Sequence, residues 1–245
     1  MNKEKLILIL LVVLIIGINY PLIDSLLIKT FEDYEKGVVE RVIDGDTIVI
    51  EGESIRLLGI NSPEKGEKYY LEAKEFLEEK ILGKEVTIHF GKNKYDKYYR
   101  KLGYIYFKNK NINKELISNG LANSYFPTGK DKYYSDFLET WRKCLENNLN
   151  LCEKSKERCI VLENWDIENQ NVILRNSCFN SVDLNNWSIK DEGRKKYVFG
   201  EKILEGGEII EVGKKDFEKD YVWTTSGDSI FIRDHYGKLV FWDIY

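Results

Sequence analysis

Short segments between residues 44 and 101 set acids, an amide and arginines in an order that suits attack on a phosphodiester. Asp44-Gly45-Asp46-Thr47 sits at a turn, Arg56 follows, and Asn61-Ser62-Pro63-Glu64 comes after it. Asp96-Lys97-Tyr98-Tyr99-Arg100 lies within a run, 92–101, where Lys92, Lys94, Lys97, Arg100 and Lys101 outnumber the single acid Asp96. The Asp46 carboxylate, the Asn61 side-chain oxygen and a backbone carbonyl make a hard-oxygen donor set for a divalent cation, with waters in the remaining positions. Such a cation would neutralise and polarise a phosphate. Glu64 could take a proton from a water beside it. Arg56 and Arg100, planar and permanently charged, could clamp the equatorial oxygens as charge builds. No histidine is required, and the chain has only His89 and His235, far apart and with unrelated neighbours. Taken singly, each piece has a plainer explanation. Asp-Gly is a common hairpin turn, Pro63-Glu64 an ordinary loop-to-helix entry, Arg56 an edge residue and the lysine run a solvated loop. Their order and spacing single them out.

The elements that must position these groups show in the periodicity. GVVERVI (37–43) and TIVIE (47–51) are β-branched runs joined across Asp44-Gly45, and SIRLLGI (54–60) makes a third strand. Glu72 to Leu82 reads as a helix, with Ala73, Phe76, Leu77 and Ile81 on one face and Gly83 as its stop. EVTIHF (85–90) and KLGYIYF (101–107) add two strands. Asn113 to Asn119 is a short helix closed by Gly120, and Ser135 to Leu145 a longer one with Leu138, Trp141 and Leu145 on a stripe. Residues 36–152 are therefore predicted to form a small α+β five-stranded barrel with three helices packed outside it. After the charged link at 153–158 the texture changes to short alternating runs with glycine turns, such as NVILR, EIIEVG and SIFIRD. Residues 158–245 are predicted as an all-β antiparallel sandwich.

VIDGDTIVI, IRLLGINSPEKG and YDKYYRKLGYIY together resemble the three signature blocks of the staphylococcal-nuclease (thermonuclease) family, over roughly residues 36–150. The resemblance implies an OB-type barrel and Ca²⁺-dependent cleavage of DNA and RNA. It implies that Asp46 is a calcium ligand, that Ser62 gives its backbone carbonyl, and that Arg56, Glu64 and Arg100 hold the three catalytic positions. Lys97 and Tyr98 match residues that contact the nucleotide phosphate. Asn61 stands where the family's reference enzyme has a second ligand Asp. An amide oxygen brings no charge, so a weaker metal site is expected, one that Asn61→Asp would tighten. The family's later substrate tyrosine falls between Tyr125 and Phe126, and neither is assigned. Further on, VILRN, VDLNNWSIKD, LEGGEIIEVG and YGKLVFWDIY are similar to the lamin-tail domain, an immunoglobulin-like sandwich. That likeness implies an adaptor module with an envelope or protein partner and no catalytic site.

Location is read from the N-terminus. Lys3 and Lys5 precede LILILLVVLIIGI (6–18), and the apolar character resumes at Leu22-Ile23. Residues 1–30 are read as an uncleaved signal anchor, a transmembrane helix, with a removed signal peptide as the alternative. The positive-inside rule then puts everything after residue 30 outside the cytoplasm, where disulfides persist. Cys144 and Cys152 are too far apart to bridge on an unbroken helix, although Asn147-Asn148 could break it. Cys159–Cys178 is an equally plausible pair, and four free thiols are the other option. The formal net charge of -4 looks unfriendly to nucleic acid, but the acidity sits mainly in residues 156–245 while basic residues bunch at 92–101. Rival readings are a non-catalytic nucleic-acid-binding module and a surface-interaction protein. His89 is read as a barrel-face residue, His235 as a hairpin tip, and Asp228, Asp234 and Asp243 as turn and edge residues.

Overall fold

The computed structural model describes Lys5 and residues 13–20, 34–127 and 129–245. The chain divides into two compact units, Met1–Glu35 and Lys36–Tyr245. In the first, residues 13–20 are helical, Asn19 donates its amide to the Ile15 carbonyl, and Val13, Leu14, Ile15 and Ile16 are exposed. Most of the span expected over 1–30 lies outside the described residues. Among the described residues no helix is long and apolar enough to cross a membrane.

Beyond it, β-branched residues build β1 (Tyr34–Asp44), β2 (Thr47–Ile50) and β3 (Glu53–Leu57) as an antiparallel meander. Register shifts in β1, between Val39 and Arg41 and between Val42 and Asp44, bend the strand, and Val39 and Val42 are both buried. The next elements are β4 (Ile60–Asn61), α1 (Tyr70–Ile81), β5 (Glu85–Tyr95), β6 (Lys101–Phe107) and β7 (Lys110–Asn111). The sheet order is β3-β2-β1-β5-β6-β7, and β3 also pairs in parallel with β6, Arg56 opposite Leu102. That pairing closes a five-stranded barrel. β3 stops at Leu57, short of the expected Ile60, and the chain turns at Gly59. Gly59 has φ +74, and a Cβ there would lie 2.8 Å from the Phe137 ring, so only glycine suits the turn. β5 runs on to Tyr95, so Lys92 and Lys94 sit on a strand end rather than in a loop.

Helix α1 buries Ala73, Leu77 and Ile81. α2 (Ile112–Ser118) is N-capped by Asn111, whose side chain accepts the Lys114 amide. After β8 (Asn123–Ser124), α3 (Tyr134–Asn147) buries Phe137, Thr140, Trp141 and Cys144. Asn148 is left-handed, at φ 58, and ends α3; a single 3₁₀ turn at Asn150–Cys152 follows. Breaking the helix there brings Cys144 and Cys152 to a Cα separation of 5.8 Å, and they form a disulfide. Cys159 and Cys178 form a second, and no cysteine among the described residues is free.

From residue 160 onward the described residues form strands and turns only. β9 (Ile160–Asp166), β10 (Asn171–Asn176) and β15 (Ile209–Gly213) make one antiparallel sheet. β12 (Ser188–Lys190), β13 (Lys196–Val198), β16 (Ser229–Arg233) and β17 (Leu239–Ile244) make another, and β11 (Val182–Asp183) pairs with β14 (Ile203–Leu204). Val172, Leu174, Ile189, Val212, Ile230 and Ile232 bring the two larger sheets onto one apolar core.

This β region is joined closely to the barrel. Phe231 and Leu239 are buried in the barrel's own hydrophobic cluster. Trp141 meets Phe231 and Trp242 edge-on, at centroid distances of 5.7 and 6.3 Å. Arg233 Nη1 donates to the Leu151 carbonyl at 2.7 Å. At the barrel's edge Glu67 receives Lys190 at 3.1 Å and Lys196 at 3.0 Å. Burial disfavours the Glu67 carboxylate, but Lys190, the Glu64 amide and Lys196 outweigh it and hold its pKa at about 2, below the ordinary 4.5. A depressed acid stabilises the fold above its unfolded pKa, and that contribution disappears as pH falls through the folded value. Glu67→Gln should therefore lower stability at pH 7 by on the order of 2 kcal/mol, with the deficit shrinking from pH 4.5 towards 2. Urea unfolding across that range checks this; a deficit independent of pH would contradict it.

Candidate active site

The β1–β2 hairpin delivers Asp46 to the end of the barrel. Its tip packs so tightly that a Cβ on Gly45 would lie 2.6 Å from Ala73 Cβ and 2.8 Å from Ser62 Cβ, which accounts for the glycine between the two acids. Asp46 is 2% exposed. Its Oδ1 accepts the Thr47 hydroxyl at 3.1 Å and its Oδ2 accepts the Ser62 amide at 3.1 Å. The same Oδ2 is ion-paired with Arg56 Nη2 at 3.0 Å. Arg56, 8% exposed, also donates to the carbonyls of Leu57 at 2.5 Å and Ile60 at 2.8 Å. Asp44 accepts the Asp46 amide, and burial, then the neighbouring Asp46 charge, push its carboxyl above the usual range.

Asn61 is 1% exposed. Its Nδ2 donates to the Gly193 carbonyl at 2.8 Å, while its Oδ1 is buried without a hydrogen-bond partner. A buried acceptor left unpaired is destabilising unless something else meets it. Among the described residues no three His, Cys, Asp or Glu are grouped to hold a metal ion. A cation here would instead rest on the donor set Asp46 carboxylate, Asn61 Oδ1 and Ser62 carbonyl. All are hard oxygens suited to Ca²⁺, and the orphaned Oδ1 fits that assignment.

Arg100 closes a tight turn before β6. Its amide donates to Asp96 Oδ1 at 3.0 Å and its Nε to Asp96 Oδ2 at 2.8 Å. Partial burial works against the Asp96 carboxylate, yet the Arg100 amide and guanidinium and the Tyr98 amide hold its pKa below the ordinary value. Tyr98 is exposed, with the Arg100 guanidinium 5.6 Å and Lys97 Nζ 5.1 Å from its ring centroid. Arg56, Lys97, Tyr98 and Arg100 line one cleft of about 490 Å³, together with Tyr125 and Phe126. Glu64, Asp46, Asn61 and Ser62 lie outside that lining. Asp46 and Arg56 are tied to each other, so Arg56 links the cleft to the donor set.

Glu64 has a partner that the sequence did not show. Its Oε1 is 2.5 Å from Arg194 Nε, and Arg194 belongs to the β region. The loop that carries it is fastened to the barrel by its backbone: Asn123 donates to the Glu192 carbonyl at 3.0 Å and Asn61 to that of Gly193. The only sequence signal was a basic cluster, Arg194-Lys195-Lys196, within an otherwise acidic region. Asp228 also has a clearer role than a turn residue, since its carboxylate accepts the amides of Glu192, Thr224 and Ser229. Asp234 holds its own turn, accepting the amides of Tyr236 and Lys238. His235 is exposed at that tip, and His89 stacks at 4.6 Å on Tyr106 of β6.

Two acids of this loop, Asp191 and Glu192, crowd against Asp228. Burial, followed by the Asp228 charge, raises Glu192 to about 8 and Asp191 to about 6, and burial raises Asp228 itself. For a carboxyl raised in the folded state, folding takes up a proton between the unfolded and folded pKa values, so stability falls as pH rises through that window. Glu192→Gln removes the ionisation. Its melting temperature should match wild type near pH 5 and exceed it at pH 8 and above; parallel pH profiles would contradict the assignment.

The chain has relatives among known proteins. Residues 54–154 match the family model described as staphylococcal nuclease homologue. The thermonuclease of Staphylococcus intermedius is 30% identical over 130 residues, which cover 49% of this chain and 77% of that protein. An uncharacterized protein of Methanocaldococcus jannaschii is 35% identical over 156 residues, covering 51% and 74%. Endonuclease YhcR of Bacillus subtilis is 31% identical over 125 residues, 43% of this chain but 10% of that much longer protein. The family match ends at residue 154, so Gly193 and Arg194 lie beyond it.

Proposed function

This chain belongs to the staphylococcal nuclease family, and on that footing we propose that it hydrolyses phosphodiester bonds of DNA and RNA, with Ca²⁺, outside the cytoplasm. The observation that carries the proposal is the convergence of Arg56, Arg100, Lys97 and Tyr98 on one cleft, beside a buried oxygen donor set with an unpaired Asn61 Oδ1. Arg56 and Arg100 bind the phosphate oxygens, and their fixed planar forks match the charge that spreads over those oxygens in the transition state. Lys97 holds a phosphate as a point charge, and Tyr98 presents an exposed ring to a sugar or base. Glu64 accepts the proton of the attacking water. Ca²⁺, held by Asp46, Asn61 and the Ser62 carbonyl, would polarise the phosphate and offset its charge.

The proposed location rests on the basic, then apolar, N-terminus and on the two disulfides, which persist in oxidising compartments. Anchoring by residues 1–30, and a lamin-tail adaptor role for residues 158–245 with an envelope or protein partner, belong to the same proposal. One observation favours a second reading. Glu64 is already paired with Arg194, as it could be in a module that binds nucleic acid without cutting it.

The purified chain, incubated with DNA or RNA, should digest both with Ca²⁺ and neither with chelator. Glu64→Gln should lower kcat by about 10²–10⁴-fold, the usual contribution of a general base, with its circular dichroism unchanged. Binding without digestion would favour the second reading, and near wild-type cleavage by the variant would remove Glu64 from its role.

A further inference from the structure

We propose that Arg194 is a phosphate-binding residue supplied to the barrel's site by the β region, and that it moves from Glu64 to a phosphodiester when nucleic acid enters. The inference rests on the nuclease-family reading and deepens it, since it names a substrate contact outside the matched residues.

Three arginines surround the site, each resting on a carboxylate: Arg56 on Asp46, Arg100 on Asp96 and Arg194 on Glu64. The pairs differ in burial. Side-chain exposures are 10% and 2% for Arg56 with Asp46, 28% and 16% for Arg100 with Asp96, and 58% and 43% for Arg194 with Glu64. Opening a buried pair strands a charge in a low-dielectric setting. An exposed pair is weak and water replaces it readily. Arg194 is therefore the guanidinium that can change partner most easily.

The Arg194 side chain is also not what holds its loop in place. The Asp191 amide donates to the Lys195 carbonyl at 3.0 Å, and the Lys195 amide to Asp191 Oδ1 at 2.9 Å. The Glu192 amide donates to Asp228 Oδ1 at 3.2 Å. On the barrel side, Asn123 and Asn61 grip the carbonyls of Glu192 and Gly193 at 3.0 and 2.8 Å. None of these bonds uses the guanidinium. These bonds mount the loop, Lys195 Nζ is turned back to Asp191 and the Val222 carbonyl, and Arg194 alone of the loop's cations reaches the carboxylate assigned as the base. A phosphodiester approaching Glu64 meets a planar fork able to take two oxygens. Moving the fork to the phosphate both binds substrate and frees Glu64 for a water.

The test measures equilibrium binding with cleavage switched off. A fluorescein-labelled single-stranded DNA oligonucleotide is titrated with the full chain in chelator, by anisotropy, at several salt concentrations. Arg194→Gln should weaken binding tenfold or more and lower the slope of log Kd against log salt by about 0.7, the loss of one phosphate contact on a single strand. Arg194→Lys should restore the slope while recovering only part of the affinity. In Ca²⁺, Arg194→Gln should raise KM for the same oligonucleotide more than it lowers kcat. Unchanged affinity and slope in Arg194→Gln would overturn the proposal, as would an Arg194→Gln chain that cleaves faster, which would make Arg194 a clamp on Glu64. Failure of the nuclease reading is separate: the wild-type chain would then bind the oligonucleotide and leave it intact with Ca²⁺.

Discussion

Arg56 and Asp46 are both charged and both buried, and the barrel end is built around their 3.0 Å contact. Neither charge is tolerable there alone. The guanidinium also donates to the Leu57 and Ile60 carbonyls, and the carboxylate takes the Thr47 hydroxyl and the Ser62 amide. One ion pair thus fixes the β1–β2 hairpin tip, the end of β3 and the start of the segment leading to Glu64. The parallel pairing of β3 with β6 sets Arg56 opposite Leu102, close to the turn that presents Arg100. Barrel closure and the placing of both arginines in one cleft are the same structural event.

A second constraint comes from outside the barrel. Asn61 has to satisfy an amide Nδ2 in a position 1% exposed, and the Gly193 carbonyl does so. This gives a reason for an amide at position 61, because a carboxylate oxygen at that point would face a carbonyl oxygen. The same bond turns Oδ1 away to remain unpaired. The amide at 61 and the loop at 191–195 therefore act as a matched pair. With Glu67 bridging Lys190 and Lys196, and Phe231 and Leu239 completing the barrel's core, the β region is structurally part of the site it borders.

The barrel's elements were legible in the sequence because its strands alternate or run β-branched between glycine turns, and because Asp-Gly, Gly83 and Gly120 punctuate them locally. The disulfides were legible only as alternatives, since pairing Cys144 with Cys152 depended on a left-handed Asn148 that spacing alone does not fix. The end of β3 at Leu57 was missed because the turn at Gly59 answers to the Phe137 ring, a contact from a distant helix. Arg56, Glu64 and Arg100 stood out through their order along the chain. Arg194 did not, for its meaning comes from a contact across 130 positions of sequence, and nothing in Gly193-Arg194-Lys195-Lys196 read locally distinguishes it from a solvated turn.

All three arginines around the site rest on carboxylates, and on the proposed function a phosphodiester takes over at least the two more exposed of them. A crystal structure of the chain bound to a phosphorothioate oligonucleotide that resists cleavage tests this most directly. The expected result is Arg100 and Arg194 nitrogens within about 3 Å of phosphate oxygens, with Glu64 released to face solvent. An oligonucleotide lying elsewhere, with Arg194 still on Glu64 and Arg100 still on Asp96, would contradict it.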